Sequence, residues 1–256
     1  MIDALYEGTF SVGMDKQFNP IQRSEPAAKG ALKISLNPFL IQTRDRNILI
    51  DCGLGDYGLR SHIPILHENL RRFGLTEADI TDVICSHLHW DHIGGLAHKS
   101  EGEMVLTFPD ASIWLSGQEW KQVNERYDEE NAKGDFLQFL DAKADLCFLQ
   151  DGDSPFDGVE VEVIGGHTEF SLGIWIDLPG VKFLMAGDVL GTKGAINRSY
   201  AAKYDFDGKR SQMQRTRLIK QCWEDVFGIL CYHDNDMPLI RVTGYSEDNG
   251  YSFTSI

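Results

Sequence analysis

Six consecutive residues, His87-Leu88-His89-Trp90-Asp91-His92, place three imidazoles and a carboxylate in one short stretch of chain. Imidazole nitrogen and carboxylate oxygen together suit Zn²⁺, and also Fe or Mn. With 8 His in 256 residues, chance would assemble this pattern in roughly one chain in a thousand. His87 and His89 stand two apart, so on an extended segment both side chains point the same way. Asp91 and His92 come where Ile93-Gly94-Gly95-Leu96 would open a helix, and they can turn toward the same space from another side. One strand end and the next turn thus offer four ligand atoms to a small volume. The chemistry is that of a bound divalent metal.

Elements must hold such a cluster, and the patterning supplies them. Val83-Ile84-Cys85-Ser86 reads as a short buried strand that delivers His87. Before it, residues 5–12 alternate apolar and polar, which predicts a strand with one buried face. Residues 34–43 and 47–51 flank the polar Arg44-Asp45-Arg46, a hairpin signal. Ile63, Leu66, Leu70 and Phe73 have helical spacing over 62–73, and Gly74 ends that helix. Thr76-Glu77-Ala78-Asp79 has the form of a helix N-cap with an acid three residues on.

The second half repeats the style, with strands expected over 112–116 and 159–164 and helices over 118–130 and 134–144. A hairpin is expected between 172–178 and 181–186 across Pro179-Gly180, then an amphipathic helix over 211–227 and a last buried strand over 229–232. Hairpins mixed with helical crossovers predict a layered α/β domain with mixed sheets. No solenoid repeat, low-complexity tract or long linker divides the chain, so residues 1–256 are read as a single domain.

The pattern resembles the metallo-β-lactamase superfamily, whose members carry His-x-His-x-Asp-His after a buried strand. Its further elements occur here in order. Ile48-Leu49-Ile50-Asp51-Cys52-Gly53 precedes the cluster, Gly166-His167-Thr168 follows the 159–164 strand, Asp188 closes Phe183-Leu184-Met185-Ala186-Gly187, and His233 follows Ile229-Leu230-Cys231-Tyr232. The resemblance implies a four-layer αβ/βα sandwich with two mixed β-sheets and a two-metal site. In that site His87, His89 and His167 would hold one ion, Asp91, His92 and His233 the other, and Asp188 would bridge them. Asp51 matches the carboxylate that orients a ligand imidazole. The implied activity is hydrolysis by a metal-bridging hydroxide, with Asp91 orienting it and returning a proton to the leaving group. The ions are expected to be Zn, with Fe or Mn as alternatives.

Thr107-Phe108-Pro109-Asp110-Ala111 leading to Ser116-Gly117-Gln118-Glu119-Trp120 resembles the lactonase and organophosphate-hydrolase branch, which implies a small ester, lactone or related substrate. Two departures stand against the usual substrates. Quorum-quenching lactonases carry a Tyr three residues after the bridging Asp, where this chain has Gly191. The family commonly has Pro-Gly after Gly-His-Thr, where Glu169 and Phe170 bring charge and bulk. Tyr200 and Tyr204 are candidates to reach the pocket instead. Arg215 and Arg217, in the basic stretch from Lys203 to Lys220, are candidates for an anion clamp. A glyoxalase II-like thioesterase is the alternative within hydrolysis, and a mononuclear iron sulfur dioxygenase is the alternative outside it.

The remaining residues read more plainly. His62 and His67 lie on or beside the 62–73 helix, His98 reads as a surface residue, Trp90 as core packing, and Asp151-Gly152-Asp153 as a turn. A formal charge of −15 disfavours polyanions and anionic membranes as partners, leaving a small molecule and, at most, a second copy of the chain as a homodimer. Five dispersed cysteines without a Cys-x-x-Cys pair, and a start lacking a basic and apolar leader, make the cytoplasm the expected compartment.

Overall fold

A computed structural model describes residues 1–126 and 132–256, which fall into two compact units, 1–149 and 150–256. The first unit opens with β1 (Ile2–Ala4), β2 (Gly8–Val12), β3 (Phe18–Ile21), β4 (Leu32–Leu36), β5 (Phe39–Gln42) and β6 (Asn47–Ile50). The strand expected over 5–12 is shorter because the chain changes sheets there. β1 pairs antiparallel with β5, whereas β2 lies between β3 and β4 in a three-stranded sheet. The same change splits the strand expected over 34–43 at Asn37-Pro38. Proline has no N–H for a ladder, and the Pro38 carbonyl accepts from the Leu5 N–H at 2.7 Å. β5 and β6 make the expected hairpin.

Helix α1 (Ile63–Arg72) buries Ile63, Leu66 and Leu70 and carries Pro64 in its first turn, where a missing N–H leaves no ladder bond unmade. The Thr76 signal produces one 3₁₀ turn, not a longer helix, with the Asp79 carboxylate accepting from the Thr76 N–H and hydroxyl. Next come β7 (Asp82–Ile84), α2 (Trp90–Ile93), the hairpin β8 (Ala97–Ser100) and β9 (Glu103–Leu106), and β10 (Ser112–Ser116). Helices α3 (Gly117–Arg126) and α4 (Ala132–Lys143) and strand β11 (Asp145–Leu149) complete the unit. Of the helix expected over 118–130, residues 127–130 lie outside the described residues.

The large sheet of this unit runs β1-β5-β6-β7-β10-β11. Its last four strands are parallel, as helical crossovers require, and the first three antiparallel, so the sheet is mixed. Leu40, Leu49, Val83 and Leu115 from the sheet pack with Leu66 and Leu70 of α1 and Phe136, Leu137 and Leu140 of α4.

The second unit contains β12 (Val159–Val163), β13 (Leu172–Leu178), β14 (Val181–Met185), α5 (Gly208–Glu224), β15 (Gly228–Leu230), β16 (Leu239–Ser246) and β17 (Gly250–Ser255). Its sheet follows chain order, antiparallel except for the β14–β15 pair that α5 connects. The hairpin across Pro179-Gly180 is present, with Leu178 opposite Val181. Helix α5 starts three residues before the expected point because Asp207 caps it, accepting from the Lys209 and Arg210 N–H groups at 3.0 Å each. Ile164, Leu184, Leu218, Ile219 and Ile229 are among the residues of this unit's core. Asp151-Gly152-Asp153 is a turn, as read. Among the described residues no helix is long and apolar enough to cross a membrane.

Candidate metal centre

In the first unit the histidines follow the C-terminal end of β7, an interior strand of the sheet. The last ladder-type bond beyond β7 is Cys85 N–H to Trp114 O at 2.8 Å. From Ser86 onward the backbone is held by side chains. The buried Asp51 carboxylate accepts from the Ser86 N–H at 2.7 Å and the Ser86 hydroxyl at 2.8 Å. It also accepts from His92 Nδ1 at 2.7 Å. A carboxylate can only accept here, so His92 holds its proton on Nδ1 and presents Nε2 as the lone-pair nitrogen. The Ser86 hydroxyl, having given its hydrogen to Asp51, accepts from His87 Nδ1 at 3.1 Å. His87 is therefore also a lone-pair donor at Nε2.

That Nε2 lies 3.0 Å from His89 Nδ1. Two nitrogens on one tetrahedral zinc at ~2.0–2.1 Å stand roughly 3.3 Å apart, so the pair lies near the spacing of ligands to a common ion, at a distance that is also that of a hydrogen bond between the two rings. Asp91 sits in the first turn of α2, with Oδ2 3.7 Å from His92 Nε2. His87, Asp91 and His92 are buried, and His89 is exposed. Asp51 has φ +56°, a left-handed conformation that Asp tolerates better than most side chains.

The second unit positions its three histidine and aspartate candidates from different loops. Two imidazole nitrogens flank the Asp188 carboxylate, with His167 Nε2 3.3 Å from Oδ2 and His233 Nε2 3.0 Å from Oδ1. One carboxylate with an imidazole nitrogen at each oxygen is the donor set a bridging ligand requires. His167 Nδ1 meets the Asp205 carboxylate at 2.8 Å, and both side chains are buried. By the same logic as for His92, His167 carries its proton on Nδ1. Gly166, at φ +102°, brings His167 so close to α5 that a Cβ there would lie 2.7 Å from the Ser211 nitrogen. Phe206 N–H donates to His167 O at 3.0 Å and Asp207 N–H to Gly166 O at 2.8 Å. The His233 N–H donates to Gly191 O at 2.8 Å, and a Cβ on Gly191 would stand 3.3 Å from the His233 ring.

The substrate candidates separate clearly. Arg215 is 2% exposed, its Nε donating to Val189 O at 2.9 Å and its Nη1 to Tyr200 O at 3.0 Å. Its guanidinium also lies 4.0 Å above the Tyr200 ring. The expected anion clamp is thus a buried strut that ties the Asp188 turn to the Tyr200 loop. Arg217 is exposed and paired with Glu162, Gln214 and Gln221. Tyr204 presents its ring edge-on to His167, centroids 6.2 Å apart. Tyr200 and Tyr204 are exposed, and Glu169 and Phe170 half-buried.

Among the other side chains, Trp90 stacks on Tyr57 at 4.8 Å and meets Phe136 edge-on at 4.9 Å, a packing role. His62 pairs with Glu7 at 3.0 Å in the interior. His98 is half-buried, with Nδ1 2.9 Å from the Thr107 hydroxyl.

Four residues that sequence reasoning passed over support these ligands. They are Ser86, Asp205, Glu119 and Lys133. Glu119 accepts from the Leu88 N–H at 2.9 Å, and Lys133 Nζ donates to Leu88 O at 2.7 Å. Burial, partly offset by the nearby Glu119 and Asp91, pushes the Lys133 ammonium down to about 8. Ser86 carried a sequence signal through its place beside His87, and Glu119 lies in the 116–120 segment that resembles the lactonase branch, where the resemblance assigns it no role. Asp205 and Lys133 come from segments with no motif.

Comparison with known proteins follows the same lines. The sequence profile described as the metallo-beta-lactamase superfamily matches residues 35–226. Metallo-beta-lactamase domain-containing protein 1 of Xenopus laevis is 26% identical over 132 residues, 50% of this chain and 46% of that protein. The chain thus spans about half the length of that curated relative. A probable metal-dependent hydrolase from Staphylococcus aureus superposes with a TM-score of 0.77 at 22% identity, covering 100% of this chain and 96% of the other. A dizinc quorum-quenching lactonase, solved with a product bound, superposes with a TM-score of 0.72 at 21% identity, covering 90% and 82%. At such identities the structural likeness speaks for the fold.

Proposed function

Because this chain belongs to the metallo-beta-lactamase superfamily and has its α/β fold, we propose that it is a metal-dependent hydrolase with a dinuclear centre. His87, His89 and His167 would hold one ion, Asp91, His92 and His233 the other, and Asp188 both. The observation that carries this reading is a device present in each unit. One candidate imidazole, His92 or His167, has its Nδ1 on a buried carboxylate, Asp51 or Asp205, which leaves Nε2 as the donor. A carboxylate behind a histidine fixes the tautomer and raises ligand basicity, and it is the usual companion of a metal-binding imidazole. Residues 1–256 are proposed to act as one functional domain, as the sequence was read.

Two divalent ions, when bound, supply an acidified water and a Lewis acid for the substrate oxygen. The chain supplies the rest. Asp51 and Asp205 hold two imidazoles in the donating tautomer, and Ser86 passes that order to His87. Asp91 is assigned the proton: its carboxylate orients the attacking water, takes up its hydrogen and returns it to the leaving group. Tyr200, Tyr204, Glu169 and Phe170 are the side chains we place toward substrate.

Zn is our choice of metal, and the donor set also admits Fe or Mn. Small esters and lactones are the proposed substrates. A charge of −15 favours a small molecule over nucleic acid or membrane, and five free thiols favour a reducing, cytoplasmic setting.

Metal quantification on the purified chain followed by a panel of lactones, thioesters and phosphotriesters tests the proposal. The expected result is two zinc equivalents and turnover of a lactone or ester, with both reduced in Asp188→Ala. Preference for thioesters would move the assignment to a glyoxalase II-like enzyme. A single iron with oxygen uptake would move it to the sulfur dioxygenase type. Asp188→Ala retaining two metals and full turnover would defeat the dinuclear scheme.

A further inference from the structure

Both peptide groups around Leu88 are anchored by charged side chains buried behind the histidine loop. The N–H of the His87–Leu88 peptide donates to Glu119 Oε1 at 2.9 Å. The C=O of the Leu88–His89 peptide accepts from Lys133 Nζ at 2.7 Å. Glu119 and Lys133 are 2% and 6% exposed. Neither charge is required by the apolar core around it, which holds Leu88, Trp120, Phe136 and Leu137. Burying a carboxylate and an ammonium among such residues costs several kcal/mol unless their hydrogen bonds are made. Placing both on one residue of a loop is therefore a specific arrangement.

The loop needs it. Beyond Cys85 no ladder bond holds the backbone, and α2 begins only where the His92 and Ile93 N–H groups reach His89 O at 3.0 and 3.1 Å. Between those points the peptide planes on either side of Leu88 would turn about their flanking dihedrals. Each plane sets the Cα–Cβ direction of one histidine, His87 before it and His89 after it. A rotation of a few tens of degrees in either plane would break the 3.0 Å approach of His87 Nε2 to His89 Nδ1.

We infer that Glu119 of α3 and Lys133 of α4 are positioning residues that clamp the Leu88 backbone and so set the separation of the His87 and His89 donors. The inference rests on the metal-binding reading above and adds to it two residues from helices that hold none of the ligands. Neither residue touches an ion or a substrate. Their effect is on the affinity and geometry of the ion that His87 and His89 share.

The test compares the full chain with Lys133→Met, Lys133→Arg, Glu119→Leu and, as a control, Leu140→Ala, a change to a buried α4 side chain that makes neither backbone bond to Leu88. Stepwise Zn²⁺ affinities are read by competition with a chromogenic chelator. Cobalt-loaded absorption spectra report ligand geometry, and thermal unfolding of the metal-free chains reports stability. Lys133→Met and Glu119→Leu are expected to weaken one ion by about 10–100-fold, shift the cobalt bands, and leave the other ion within about threefold. Lys133→Arg, which keeps a charged donor, is expected to recover most of the loss. Leu140→Ala is expected to lower the melting temperature with parental affinities.

Parental affinities and spectra in both clamp variants would overturn the inference. So would losses that Leu140→Ala reproduces at equal destabilisation, since the effect would then be stability alone. A parent chain that binds no divalent ion would overturn the metal-binding reading and the clamp together. A parent that binds two ions alongside unaffected variants would overturn the clamp only.

Discussion

Arg215 and Arg217 stand two apart on α5 and do opposite things. The helix turns about 200° between them, so one side chain is buried against the Asp188 turn and the other lies among surface partners. Arg215 donates to two backbone carbonyls, the buried one of Val189 and the part-buried one of Tyr200. Hydrogen bonds from a charged group contribute about 1.5–3 kcal/mol each, and losses within one network are less than additive. Arg215→Met is therefore expected to lower unfolding stability by roughly 2–4 kcal/mol, read from the denaturant midpoint of the metal-free chain. Arg217→Met removes an exposed ion pair with Glu162 and should cost under about 1 kcal/mol. Equal effects would show that the strut is not made. Sequence alone made these two arginines equivalent candidates, because helical phase decides nothing until the helix has something to pack against.

At the scale of elements, the N-terminal end of α5 works as a bracket for the His167 turn. Asp207, Phe206 and Arg210 reach Gly166 O, His167 O and Ile164 O respectively. The bracket leaves no room at Gly166, whose φ is +102° and whose added Cβ would strike the Ser211 backbone. Gly180, in the β13–β14 turn, has φ +77° and open space around it. Gly180→Ala should cost only the left-handed backbone penalty, about 1 kcal/mol. Gly166→Ala adds a clash with backbone and should cost at least roughly 2–3 kcal/mol, with His167 displaced. Thermal unfolding gives the first difference, and the Zn²⁺ affinity of Gly166→Ala gives the second. The helix, strands and hairpin over 62–73, 112–116, 159–164 and 172–186 were legible from period and turn residues. Where the chain changes sheets, at 5–7 and 37–38, period gave no warning, because alternation continues across a change of pairing partner.

For the whole molecule, the cysteines and pH are linked. Burial pushes the Cys52, Cys85 and Cys231 thiols well above their ordinary value, and Cys222 up to about 12. Neighbouring carboxylates, Asp51 among them, add to the effect on Cys52 and Cys85. These thiols stay protonated in the folded chain while the unfolded chain loses its protons above pH ~8.5. The folded state then binds more protons, so stability must fall as pH rises. Each thiol contributes up to about 1.4 kcal/mol per pH unit. Below pH ~8.5 both states hold the proton and these groups contribute no slope. Denaturant midpoints measured between pH 8 and 10 on the metal-free chain should therefore drop steeply. Iodoacetamide should label the four buried thiols only on unfolding. A flat profile, or rapid labelling of native-chain thiols other than the half-buried Cys147 at pH 8, would contradict the burial.

What the sequence determined by itself was the set of candidate metal donors and the kind of fold that carries them. Ligand spacing within His87 to His92 is local, and alternation and helical period reveal which face of an element is apolar before anything packs. The packed structure alone decided what holds the donors in place. Asp205 behind His167, Glu119 and Lys133 around Leu88, and Arg215 under the Asp188 turn sit far along the chain from what they touch. A hydrogen bond between distant segments leaves no period and no spacing in either segment. It exists only once the hydrophobic faces have chosen their partners, and the buried polar groups must then find theirs.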